Sequence, residues 1–179
     1  MGKLARSFYE RPTLEVARDL LGKYLIFNDF VGRIVETEGY LGPEDLASHA
    51  RFKSKKRNFP MFGSAGTAYV YMTYGMYFML NVITETKDVP GGVLIRALEP
   101  QDSNSANLNG PGRLTKAFGI TLLQNGTNLT TNDSFFLEDR GGNMEEVVEA
   151  TRIGISYAGE YANKPWRFFI KNNPYVSKS

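Results

Sequence analysis

Glu36 and Glu38, two residues apart in the β-rich run from Gly32 to Tyr40, are the side chains of this chain most suited to do chemistry. A strand repeats every two residues, so this spacing predicts Ile34, Glu36, Glu38 and Tyr40 on one face and Arg33, Val35 and Thr37 on the other. A carboxylate held in a partly apolar cleft gains a raised pKa, which suits a general base. Taken alone, two such glutamates read as the solvated face of an edge strand. Arg96 argues for the first reading, because in the run from Val93 to Leu98 its phase is shared with Leu94 and Leu98. A guanidinium on an apolar row needs a carboxylate partner, and either Glu36 or Glu38 satisfies it. The alternative is an interior ion pair without a chemical role.

Two further residue types carry chemical potential. His49 is the only imidazole in the chain and lies between the Glu38 strand and a basic run. Tyr69, Tyr71, Tyr74 and Tyr77 fall in two strand-like aromatic runs, Thr67 to Tyr74 and Met76 to Ile83, that meet at Tyr74-Gly75. Some of these tyrosines belong to a hairpin core. A tyrosine at the tip cannot be buried by its own hairpin and is available as a wedge between base pairs. From Leu46 to Thr84 there is no Asp or Glu, while Arg51, Lys53, Lys55, Lys56 and Arg57 are followed beyond Pro60 by six Tyr and Phe residues. A short basic run is often just solvated; interleaving with aromatics over so long a stretch favours a polyanion.

Other chemistries lack their residues. With no cysteine and one histidine, thiolate nucleophiles, zinc ribbons and histidine-rich metal sites are excluded. No phosphate-cradling glycine motif or serine elbow occurs. Glu36 and Glu38 also make a poor glycosidase pair, since they point the same way.

The elements that must hold these residues follow from the pattern. Thr13 to Leu21 reads as a helix after Pro12, Lys23 to Phe27 pairs with Gly32 to Tyr40 across Asn28-Asp29, and residues 44 to 50 read as a brief helix. Val93 to Leu98, Ser134 to Glu138, Arg152 to Ser156 and Trp166 to Ile170 read as strands, and Gly110-Pro111 opens a helix through Phe118. Strands outnumber helices, and no composition break divides the 179 residues. The expectation is a single α+β domain, 1–179, with a mixed, mostly antiparallel, curved sheet and a protruding hairpin. No secretory leader or membrane span is visible, which predicts a cytoplasmic protein.

At this point the chain resembles a known family. The run from Ile34 to Asp45 with Ala47-Ser48-His49 is similar to the signature of the alkyladenine (3-methyladenine) DNA glycosylases. Arg57-Asn58 with Met61-Phe62-Gly63, Tyr69 through Tyr77 to Asn81, Leu94 to Pro100, Gly110 to Leu114, Arg152 to Ile155 and Pro165 to Phe168 extend the likeness over nearly the whole chain. Departures, such as Leu46 where many members have Pro, fall outside the proposed chemistry.

The resemblance implies a monomer that works without metal or cofactor on double-stranded DNA containing damaged purines, inserting a hairpin into the minor groove. By matched position, Glu38 would be the general base, with Arg96 and the Ile153 carbonyl holding the attacking water. Tyr40 would stack on one face of the flipped base, His49 and Tyr71 on the other, with Asn81 lining the pocket. Tyr74 would fill the gap in the duplex, with Met76 beside it. A silent binder of distorted DNA would use the same wedge and basic face.

Overall fold

The chain folds around a nine-stranded antiparallel sheet, described in a computed structural model for residues 2–52, 59–101, 107–142 and 145–177. Its strands are β1 (Gly2–Lys3), β2 (Tyr24–Phe27), β3 (Phe30–Tyr40), β4 (Ala68–Thr73), β5 (Tyr77–Ile83), β6 (Gly92–Pro100), β7 (Phe135–Asp139), β8 (Val147–Ala150) and β9 (Arg167–Ile170). They lie in the order β1-β7-β2-β3-β6-β5-β4, and β9 joins β3 beyond β2, carrying β8 on its other edge. Every strand pairing among the described residues is antiparallel, so the expected α+β architecture is present without a parallel component.

Helices α1 (Arg6–Tyr9), α2 (Thr13–Asp19) and α3 (Pro111–Phe118) complete the fold. One principal core draws on Leu4, α2, the sheet, α3 and Phe168, so residues from near both ends of the chain share it. Thr37 fixes α2 on this side by donating to the Ala17 carbonyl at 2.7 Å. Helix α3 packs on β5, and Gly112 is required there: a Cβ at that position would lie 2.8 Å from Tyr77 Cδ1. The half-exposed Tyr77 thus seats the base of the β4–β5 hairpin on α3.

The sheet departs from simple alternation where it matters most. Between β3 and β6 the register runs Ile34 to Leu98, Glu36 to Ala97 and Thr37 to Ile95, leaving Val35 and Arg96 each without a cross-strand partner. Two offset bulges therefore lie beside the glutamates. An extra residue reverses the facing of what precedes it. Ile34 and Leu98 consequently enter the principal core with Ile95, whereas Val35 packs with Ala97 and Ile170 in a separate cluster. This corrects the expectation that Ile34 and Leu98 share the faces of Glu38 and Arg96.

Two other expected elements differ. Arg152 to Ser156 is not a strand; the strand is Val147–Ala150, and the chain bends after it. The bend exists because the Ile153 N–H donates to a carboxylate and Arg152 turns inward to an acid, so neither serves a ladder. Residues 44 to 48 do not form a helix, and helical turns begin only at His49–Phe52. The Asp45 carboxylate takes the Leu41 and Ala47 N–H groups instead, a side-chain alternative that competes with helix formation.

Candidate active site

The register brings the chemistry-bearing residues into one row. Glu38 on β3 faces Leu94 on β6, Leu94 faces Asn81 on β5, and Asn81 faces Tyr69 on β4. Directly opposed residues point to the same side of a sheet. In the neighbouring row Tyr40 faces Gly92, which faces Ile83. A pocket opens over these rows, lined by Tyr40, Gly92, Asn81 and Tyr69, with Tyr71, His49, Ala47 and Met61 closing it.

Glu38 is completely buried beside this pocket, yet both its oxygens are engaged. Oε1 accepts the Ile153 N–H at 2.7 Å, and Oε2 accepts the Tyr40 hydroxyl at 2.8 Å. Arg96 Nη1 lies 3.4 Å from Oε1, an ion-pair distance. Burial raises the Glu38 carboxyl above the ordinary carboxylate range, and the nearby Glu36 adds to the rise; Arg96, the Ile153 N–H and the Tyr40 hydroxyl oppose it. The Tyr40 hydroxyl is itself pushed well up, first by burial and then by the Glu38 charge, so it remains a donor.

Glu36 is equally buried but faces another set of partners. Arg167 Nη1 donates to its Oε1 at 2.9 Å, the Ser177 N–H donates to Oε2 at 2.8 Å, and Arg96 Nε lies 3.4 Å away. The two glutamates thereby separate into different environments. Glu36 closes an interior charge network, whereas Glu38 is bonded to a residue of the pocket wall. Arg96 spans both, as the sequence reading allowed, with Nη2 reaching Ser177 Oγ at 3.5 Å.

The aromatic wall is built from two strands and a loop. His49 Nδ1 lies 3.0 Å from the Tyr69 hydroxyl, and the His49 and Tyr71 rings meet edge to face at 4.5 Å. Asn81 donates from Nδ2 to the carbonyls of Tyr69 and Met79 at 3.3 and 3.4 Å. The pocket is small and open on one side, with about 20 Å³ that admits a water-sized sphere.

The hairpin tip has a different character. Met76 N–H donates to the Thr73 carbonyl at 3.2 Å, closing a turn whose central residues, Tyr74 and Gly75, lie at φ 49° and 69°. A glycine takes that conformation freely; a bulky tyrosine does so at a cost of about 1–3 kcal/mol. Tyr74 is nevertheless 86% exposed, with Met76 beside it at 66%. The fold holds this aromatic side chain in solvent on a strained backbone, where burial in its own core does not repay the cost.

The structure brings Glu38, Arg96, Ile153, Tyr40, His49, Tyr71 and Asn81 together at one site, and places Tyr74 and Met76 at the hairpin tip. Arg51 is exposed, donates to the Leu46 carbonyl at 2.5 Å and stacks on Phe52. Lys53, Lys55, Lys56 and Arg57 lie outside the described residues. Sequence reasoning missed Tyr69 and Met61 as pocket walls and Gly92 as the space opposite Tyr40. It also missed Asp45 and Arg152, a fully buried bidentate pair at 2.6 and 2.9 Å. The signal that marks Arg96, an arginine among apolar neighbours, is present again at Arg152 beside Ile153 and Ile155.

This arrangement defines a class: a β-rich protein with a buried carboxyl, raised by burial, at the edge of a small pocket walled by aromatic side chains. Residues 7–174 match the model of the methylpurine-DNA glycosylase family. A Legionella pneumophila (strain Corby) protein named "putative 3-methyladenine DNA glycosylase" is 48% identical over 183 residues, covering 100% of each chain. Relatives with the same name from Anaeromyxobacter and Methanocella arvoryzae are each 46% identical, covering 99% of this chain and 93% and 97% of their own. The chain belongs to the methylpurine-DNA glycosylase family and is a DNA N-glycosylase.

Proposed function

We propose that this glycosylase extrudes alkylated or deaminated purines from duplex DNA, among them 3-methyladenine, 7-methylguanine, hypoxanthine and ethenoadenine, and hydrolyses their bond to deoxyribose with Glu38 as general base. The observation that carries the reading is the buried Glu38 carboxylate, whose two oxygens are held by the Ile153 N–H and by Tyr40 of the pocket wall. A water beside it gives its proton to Glu38 as its oxygen bonds to the sugar C1′. The N-glycosidic bond breaks, and the base leaves with the bonding electrons. Arg96 and the Ile153 carbonyl orient the water. The product is an abasic site in an unbroken strand, since no lysine is assigned as a Schiff-base nucleophile.

The pocket suits this substrate class. Alkylation at a ring nitrogen makes the purine cationic, and the faces of Tyr40 and Tyr71 with the His49 ring favour such a cation. A cationic base also leaves readily and needs little acid catalysis. Incubation of the protein with a duplex bearing one alkylated purine, followed by alkali, tests the reading. Strand scission only after alkali supports it; binding without any alkali-labile site would make the protein a silent reader of damage.

Tyr74 supplies the wedge in this reading. Its ring replaces lost stacking with the flipped base, worth about 1–3 kcal/mol. Tyr74→Ala should weaken binding to abasic-site duplex correspondingly, measured by fluorescence anisotropy. Unchanged affinity in the folded variant would remove the wedge role.

Asn81 guards the pocket against undamaged guanine, whose exocyclic amino group would collide with the amide. Asn81→Ser opens that space and should raise the rate on guanine relative to hypoxanthine by roughly ten- to two-hundred-fold. Single-turnover assays on duplexes differing only at the target base read the ratio, with melting curves as the folding control. A constant ratio would place guanine exclusion elsewhere.

A further inference from the structure

One residue bears on both groups that grip Glu38, through its side chain on Tyr40 and as the chain neighbour of Ile153. Arg152 immediately precedes Ile153, whose N–H holds Oε1. Its guanidinium carbon lies 4.7 Å from the centre of the Tyr40 ring, whose hydroxyl holds Oε2, and 4.9 Å from the Trp166 ring. Arg152 is not among the residues lining the pocket, so it supports Tyr40 from outside. Its nitrogens bind the Asp45 carboxylate bidentately and donate to the Gly39 and Tyr161 carbonyls. Asp45 in turn takes the N–H groups of Leu41 and Ala47, fastening the loop that leads into the pocket residues Ala47 and His49.

We propose that Arg152, paired with Asp45, is a positioning residue for the Glu38 reaction, setting both hydrogen-bond donors of the carboxylate and the seat of the Tyr40 ring. The inference rests on Glu38 being the base, and its reasoning is geometric. A planar fork meets a carboxylate at two points and stacks on a ring at once; an ammonium does neither. Lysine at this position keeps the charge and loses the alignment. The Ile153 peptide then shifts from Oε1 and the Tyr40 hydroxyl from Oε2, while the other groups facing Glu38, namely Arg96 from β6 and Glu36 from β3, stay in place. Arg167 from β9 remains committed to Glu36. Donors to a carboxylate favour its ionised form, so their loss makes Glu38 hold its proton to higher pH.

The test is single-turnover excision by Arg152→Lys on lesion-bearing duplex across the pH range, with thermal melting and abasic-site binding alongside. The expected result is a rate lower by about tenfold to a hundredfold, typical of a misplaced reacting geometry. The ascending limb of the pH profile should move to higher pH, while binding stays near that of the wild type. A folded Arg152→Lys with the limb unmoved would overturn the proposal, because a purely structural role lowers stability without altering the titration of Glu38. Should Arg152→Lys fail to fold, Asp45→Asn carries the test: it keeps the shape and weakens the fork, so a smaller shift in the same direction is expected, and an unmoved limb overturns the proposal equally. Wild-type protein that yields no abasic sites would instead contradict the glycosylase reading itself.

Discussion

Glu38→Gln should slow single-turnover excision by about two to four orders of magnitude while leaving affinity for lesion-bearing duplex near that of the wild type. Glutamine keeps the shape and still accepts the Ile153 N–H, but it cannot take a proton from water. Unaltered excision by a folded variant would remove Glu38 from the chemistry. The same substitution carries a stability signature. Burial raises the Glu38 carboxyl, so the folded chain keeps this proton to higher pH than the unfolded chain. Its contribution to stability is fully present below the unfolded carboxylate's titration and is lost as pH rises through the folded value. Glutamine does not titrate. Melting of both proteins at acidic and neutral pH should therefore show the difference moving in favour of Glu38→Gln as pH rises, and a constant difference would mean an unperturbed carboxyl.

Glu36→Gln should act mainly on stability, lowering it by about 3–5 kcal/mol, the usual result of breaking a buried ion pair. The carboxylate answers Arg167, Arg96 and the Ser177 N–H, and an amide offers one acceptor oxygen to this set of donors. Denaturant unfolding measures the loss directly. Excision by the fraction that remains folded should fall much less than in Glu38→Gln. The reverse order, with Glu36→Gln stable and inactive, would transfer the base role to Glu36.

The contrast between these two glutamates shows what a sequence carries and where it stops. Strands around Asn28-Asp29 and Tyr74-Gly75 are legible because alternating apolar residues end at turn-forming residues, and both hairpins form as read. The Glu38–Arg96 proximity is legible because an arginine within an apolar strand demands an acid, even though Leu98 does not share its face. The paired bulges at Val35 and Arg96 are not. Each strand carries one extra residue, so the hydrophobic run shows no interruption, yet the facing of Ile34 and Leu98 reverses. Pocket walls are illegible for another reason: Tyr69 and Tyr71 share one face of β4, and it is the sequence-distant His49 and Met61 that close a pocket over that face. The bend after β8 escapes because Ile153 spends its N–H on a side chain far away in sequence.

The pH dependence of single-turnover excision, compared between wild type and Glu38→Gln on a duplex with one alkylated purine, tests the central claim most directly. With Glu38 as the proposed base its ionised form does the work, so the proposal predicts a wild-type rate that climbs with pH through a titration lying above the ordinary carboxylate range, and that limb should vanish in Glu38→Gln, leaving only a low residual rate. A Glu38→Gln protein that retains the wild-type limb would show that another group activates the water.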